Sequence, residues 1–214
     1  MRLLVINPNS TQSMTDKIAE AARAAVPAGV EVLAQTNFDG PASIQGPEDG
    51  RAASSGLLEL VSRADADAIV IACFDDTALA EARALARVPV VGIGEAAFHA
   101  AMMLGRKYSV VTTLSVSVPI IEQNLQTYGV VDSCLRVRAS EVPVLDLEKP
   151  GSLAEARISD EIRCAIVEDG AAAIVLGCAG MADLSKRLSE THQLPVIDGV
   201  AAACGMAVVL AGLV

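Results

Sequence analysis

Three observations predict an α/β chain made of two similar lobes. First, runs of Val, Ile and Leu alternate with stretches of helical periodicity. The runs are too continuous for a half-exposed sheet and read as parallel strands covered on both faces. Second, the passage ADAIVIACFDDTAL, which holds Cys73, recurs as AAAIVLGCAGMADL, which holds Cys178, 105 residues later (178 − 73). Third, the flanks repeat too. Leu4-Val5-Ile6-Asn7 matches Ser109-Val110-Val111-Thr112, and Val88-Pro89-Val90-Val91 matches Leu194-Pro195-Val196-Ile197. Such a chain folds readily about a pseudo-twofold axis, and equivalent residues then face each other across a cleft.

The elements follow in order. Residues 2–7 form a buried strand, and Ser10 or Thr11 caps a helix to about Val26, with Met14, Ile18, Ala21, Ala22 and Ala25 at helical spacing. Residues 30–35 are a strand, and 37–50 a long loop broken at Gly40, Pro41, Gly46 and Pro47. A helix is expected over 48–64, a strand over 68–72 ending on Cys73, a helix over 77–86 and a strand over 88–92. The second half repeats the plan: strand 108–112, helix 118–128, strand 134–141, helix 154–168, strand 172–176, helix 181–190 and strand 195–198. Residues 95–104 are expected to cross between lobes, and the segment from Gly199 to return. The expected division is 1–93 plus 199–214 for the lobe with Cys73, and 94–198 for the lobe with Cys178. Each lobe is flavodoxin-like in plan, with a roughly four-stranded parallel sheet. The active site is expected in the cleft, since ligands of such sheets bind at the carboxyl ends of strands.

Composition narrows the function. The chain has 214 residues, of which 52% are hydrophobic, so it buries a real core. Aromatics are 2% and Trp is absent, so stacking platforms for bases are not expected. The net charge of −10 argues against a nucleic-acid partner. MRLLVINPNS reads as an opening strand and turn, and the apolar stretch 200–214 is too short to span a bilayer, so no membrane association is expected. Five cysteines without disulfide spacing suggest reduced thiols in a cytoplasmic protein. His99 and His192 show no metal spacing. Gly92-Ile93-Gly94 is only a fragment of a dinucleotide fingerprint.

The chemistry gathers at strand ends, where Asn7, Cys73, Gly92, Thr112, Cys178 and Asp198 all fall. Cys73 and Cys178 each close a strand and are expected to precede a helix, whose N-terminus would lower the thiol pKa. Facing thiols, one charged and one neutral, suit removal of a proton from one face of a carbon and its return to the other. Gly177-Cys178-Ala179-Gly180 carries no bulk, so its amides can approach a carbonyl or enolate oxygen. Asp75 and Asp76 would raise a neighbouring thiol's pKa, so at least one is expected to face solvent or cap a helix. Cys134, Cys164 and Cys204 lie within strand or helix patterns and are expected in the core.

Several motifs together resemble a known group. They are LLVINPNST at the start, GPASIQG at 40–46, ACFDDT at 72–77, VPVVGIGEAA at 88–97, VTTL at 111–114 and EDGAAAIVLGCAGM at 168–181. These resemble the hydantoin racemase group of the aspartate/glutamate racemase superfamily, which includes allantoin racemases. The resemblance runs nearly end to end. It implies cofactor-independent racemisation at the carbon between ring nitrogen and ring carbonyl, with Cys73 and Cys178 as the acid/base pair and no metal. Amino-acid racemases have an aspartate where Asn7 stands, and polar residues where Phe74 and Ala179 stand. The run Ser115-Val116-Ser117 lacks the basic residue common in hydantoin racemases, which leaves the ring open between hydantoin and allantoin.

The candidate binding residues are Asn7, Ser43, Phe74, Thr112, Thr113, Gly177 and Ala179, arranged as a neutral pocket for a small uncharged cyclic amide. A homo-oligomer is expected. Two other readings stay open. A maleate-type cis–trans isomerase or decarboxylase on the same scaffold needs a cation for its carboxylates, and no Arg or Lys falls at a strand end. A non-catalytic small-molecule binding protein would show no thiol dependence.

Overall fold

A computed structural model describes residues 1–149 and 153–214 of the chain. Its first half runs β1 (Arg2–Asn7), α1 (Gln12–Ala25), β2 (Glu31–Thr36), α2 (Pro47–Ser62), β3 (Ala68–Ile71), α3 (Leu79–Leu85) and β4 (Val90–Gly92). α4 (Ile93–Met103) follows. The second half runs β5 (Tyr108–Thr112), α5 (Val118–Thr127), β6 (Cys134–Ala139), α6 (Ala154–Cys164), β7 (Ala173–Gly177), α7 (Ser185–His192) and β8 (Val196–Ile197), and α8 (Gly199–Ala211) closes the chain.

The strands form two four-stranded sheets, β2-β1-β3-β4 and β6-β5-β7-β8. Every pairing is parallel. The shared order means that each sheet reverses direction of winding at one place, between β1 and β3 in the first and between β5 and β7 in the second. A crevice opens there at the carboxyl ends of the strands. The buried runs Leu3–Ile6, Ala68–Ile71 and Ala173–Leu176 show why these residues are continuously apolar: both faces of each strand are covered.

One core cluster joins Leu3, Val5 and Val70 of the first sheet to Val110 and Val175 of the second. α4 and α8 lie between the sheets, packed on each other. Gly199 has no room for a side chain, because an added Cβ would sit 2.6 Å from the Ile93 carbonyl oxygen. The scarce aromatics concentrate at this seam. Phe98 of α4 meets Phe74 edge-on at 5.3 Å, stacks on Tyr108 at 6.4 Å and tilts against Tyr128 at 6.4 Å.

Three local expectations change. The helix expected over 77–86 begins at Leu79, because Asp76 and Ala78 both adopt left-handed backbone at φ 51°. The helix expected over 181–190 is a 3-10 turn at Ala179–Leu184 followed by α7. The helix expected over 154–168 keeps α geometry to Cys164 and widens into a π turn at Ala165–Asp169, which Gly170 ends at φ 73°. No helix among the described residues is long and apolar enough to cross a membrane.

Candidate active site

The turn after β3 starts with Cys73. The backbone amide of Asp75 hydrogen-bonds its sulfur, and Thr77 Oγ1 donates to it at 3.4 Å. The turn after β7 starts with Cys178, whose sulfur takes the backbone amide of Gly180. Each thiol is thus held by the amide two residues further on. The hydroxyl donor has no counterpart, since Ala182 stands at the position equivalent to Thr77.

Both thiols line one cavity between the sheets. Of the residues expected at the site, Cys73, Phe74, Thr113, Gly177, Cys178 and Ala179 line it together. Asn7, Ser43 and Thr112 do not. Asn7 is fully buried, and its Nδ2 donates to Asn9 Oδ1 at 3.0 Å and to Thr15 Oγ1 at 3.0 Å. Thr112 donates to the Gly177 carbonyl oxygen at 2.9 Å, across a strand pair so close that a Cβ on Gly177 would meet Thr112 Cβ at 2.7 Å. Ser43 is buried beside Ile44, and it is Ile44 that reaches the cavity. Phe74 is 3% exposed, its ring being mostly spent on Phe98.

The lining also includes Asn9, Met14, Ile44, Asp75, Ser117 and Val144. Met14 reads as core from its helical spacing. Ile44 and Val144 come from loops with no periodic signal. Asn9 and Ser117 belong to the polar turns after β1 and β5, so those turns were the available signal. Their location at a strand end does not say which residue of the turn points inward.

The thiols are not activated in the way the strand-to-helix reading expects. No helix begins at Cys73. Burial raises the pKa of both thiols, to about 12 for Cys178, and the nearby charge of Asp75 pushes each higher. Desolvation outweighs the amide donors, since a thiolate here would lose its water. Asp75 itself is raised by burial to about 7.

Asp76 turns away from the cavity. Its carboxylate accepts from the amides of Gly94 at 3.0 Å and Glu95 at 2.8 Å, and from Tyr128 OH at 2.9 Å, so it caps α4 from a distance. Gly92 explains the arrangement, because a Cβ there would lie 2.2 Å from Asp76 Oδ1. At the equivalent place in the second half, Asp198 caps α8 with its own side chain.

Two pseudo-equivalent thiols thus share one cavity between paired parallel sheets. The sequence model of the Asp/Glu/Hydantoin racemase family matches residues 3–207, and the chain belongs to that family, making it an isomerase. It is 47% identical to the hydantoin racemase of Rhizobium meliloti over 99% of this chain and 89% of that one. It is 41% identical to the allantoin racemase from Klebsiella pneumoniae, whose solved structure matches with a TM-score of 0.96 over 100% of this chain and 88% of that one. The allantoin racemase of Pseudomonas fluorescens is 40% identical, with a TM-score of 0.96 over 100% of this chain and 92% of that one.

Proposed function

We propose that this chain racemises a 5-substituted hydantoin or allantoin without a cofactor, with Cys73 and Cys178 as its two acid/base groups. The observation that carries the reading is that two thiols at equivalent places in the two halves share one cavity. One sulfur, as thiolate, takes the hydrogen from the ring carbon between N–H and C=O, and the electron pair moves into the carbonyl to give an enolate. The other sulfur, as thiol, returns a proton to the opposite face. The identity of the proton donor then decides the product's hand.

The lining supports a neutral ring. Among the described residues no Arg or Lys lines the cavity, and Asp75 does. A substrate carboxylate would meet a carboxyl group and no cation, which disfavours free amino acids and a maleate-type diacid. Relatives named for hydantoin and for allantoin both match over most of their length, so both rings enter the test.

The test is polarimetry on one enantiomer of allantoin and of several 5-substituted hydantoins, with deuterium exchange followed by NMR. Wild type should racemise at least one of them. Cys73→Ser and Cys178→Ser should each lower racemisation at least a hundredfold, a typical size for losing a proton-transfer group. Each should retain exchange of the ring hydrogen of one enantiomer only. Full activity in either variant would refute the two-thiol scheme, and deuterium exchange into L-aspartate or L-glutamate would refute the substrate class.

A further inference from the structure

We infer that Asp75 is the proton relay that primes and resets both thiols, a role that rests on the two-thiol reading above. Three observations carry it. The Asp75 residue lines the same cavity as Cys73 and Cys178. Its charge is felt at both sulfurs. Among the described residues its carboxyl has no ion pair or hydrogen bond of its own, although the backbone around it is fixed by Asn124, whose Nδ2 donates to the Asp75 carbonyl oxygen at 3.0 Å. An unpartnered carboxyl partly withdrawn from water carries a desolvation cost that nothing around it offsets.

The task follows from proton accounting. Burial keeps both thiols protonated, yet the reaction needs one thiolate. Losing a proton to solvent would leave a thiolate beside the Asp75 carboxylate, two like charges in one cavity. In the relay, the proton on one sulfur passes to an Asp75 carboxylate oxygen and leaves a thiolate. The cavity keeps a single negative charge throughout. The thiolate then takes the ring hydrogen, and the second thiol protonates the opposite face of the enolate. The first sulfur is now a thiol and the second a thiolate. Asp75 returns its proton to the second sulfur, and both thiols and the carboxylate are restored. Racemisation runs in both directions, so the relay must serve either sulfur, as one carboxyl influencing both can.

The second half holds no equivalent. Gly180 stands where Asp75 would repeat, and a Cβ there would lie 3.0 Å from Leu147 Cδ1 and 3.6 Å from Cys178 Sγ. One acidic group for two thiols is therefore built into the asymmetry of the halves. Its raised pKa of about 7 lets it hold or release a proton at neutral pH.

The experiment compares Asp75→Asn, Asp75→Glu and Cys73→Ser with wild type, measuring kcat/KM from pH 5 to 10 on whichever ring wild type racemises. Wild type should lose activity below about pH 7 as Asp75 takes up a proton, and be level above it. Asp75→Asn should fall at least a hundredfold at neutral pH and then climb with rising pH, since its thiolate forms only by proton loss to solvent. Asp75→Glu should recover part of the activity and the level region. If the carboxylate merely repels the thiolates, Asp75→Asn would instead be faster than wild type at neutral pH, and that result would overturn the relay. A wild-type rate and pH profile in Asp75→Asn, with Cys73→Ser inactive, would overturn the relay and leave the two-thiol reading standing. Full activity in Cys73→Ser would overturn both. A melting temperature of Asp75→Asn at pH 8 equal to or above wild type shows that lost activity is not lost structure. The folded chain binds a proton on Asp75 that the unfolded chain releases near pH 4, so the ionised group lowers stability as pH rises through that window to about 7.

Discussion

The orientation of Asn9 follows from its neighbours' hydrogen bonds. Asn7 Nδ2 and the Thr11 amide both donate to Asn9 Oδ1, at 3.0 and 2.9 Å, so its amide oxygen is spoken for. The Nδ2 end is left on Met14 Sδ at 3.1 Å, a weak acceptor, and both residues line the cavity. A ring carbonyl is a better partner for that donor than a thioether. Asn9→Asp keeps the two accepted bonds and loses the donated one. It should lower kcat/KM by tenfold or more, and unchanged steady-state kinetics would remove Asn9 from the binding set. Thr112→Val belongs to a different class, because its hydroxyl is spent on the Gly177 carbonyl. Its loss leaves a buried carbonyl short of a donor and should cost about 1–3 kcal/mol in urea unfolding, with kcat/KM near wild type. A decade lost in kcat/KM at unchanged stability would put that hydroxyl on the substrate instead.

Individual elements are held by buried charge placed where the strand pattern ends. On β6, Arg138 is 8% exposed and bonds Asp169 through Nε at 2.6 Å, Glu161 through Nη1 at 2.9 Å and Glu168 through Nη2 at 2.7 Å. Asp169 also accepts from Ser109 Oγ at 2.9 Å, which ties the π turn after α6 to β5 and β6. The turn's irregular geometry therefore has a local cause: it brings Asp169 and Glu168 onto one guanidinium. Removing Arg138 strands a buried carboxylate, and Arg138→Met should destabilise the fold by roughly 3–5 kcal/mol in urea. The pH sign follows from Asp169, whose carboxyl is held below its usual value chiefly by the hydrogen bond from Arg138. That stability is fully present above the unfolded value near 4. It should be lost as pH falls through the lower folded value, and the acid side of a melting-temperature profile should flatten in Asp169→Asn. The same profile in wild type and mutant would mean that Asp169 is not a source of acid lability.

Across the whole molecule, the two sheets are linked by α4 and α8 and by a few polar bonds between their loops and helices. Lys17 of α1 reaches the other sheet's segment, pairing with Glu148 at 2.8 Å and donating to the Leu147 carbonyl at 3.0 Å. The Val144 amide donates to Gln45 Oε1 at 3.0 Å, and Val144 and Ile44, the neighbour of Gln45, both line the cavity. Lys17→Met cuts one of these bonds without touching the cavity lining. KM should rise several-fold while kcat changes little, and hydrogen exchange should quicken in residues 143–148. A fall in kcat alone would instead point to the electrostatic effect of Lys17 on Cys178.

The sequence by itself determined the alternation of strands and helices, the two-lobed repeat, and the placing of Cys73 and Cys178 after equivalent strands. Those features are written in local periodicity and in the spacing of the repeat, and each strand needs only its own residues to declare itself buried. The tertiary structure decided the rest. Ile44 and Val144 line the same cavity as the thiols although 100 positions separate them (144 − 44), and no periodic pattern marks either. Asp76 caps a helix that begins at Ile93, because Gly92 leaves room for it. The thiols are raised where the strand-to-helix motif predicts lowering. Desolvation sums over every atom packed around a sulfur, and most of those atoms come from distant parts of the chain. The sequence therefore placed the two thiols, and packing pushes their pKa values up.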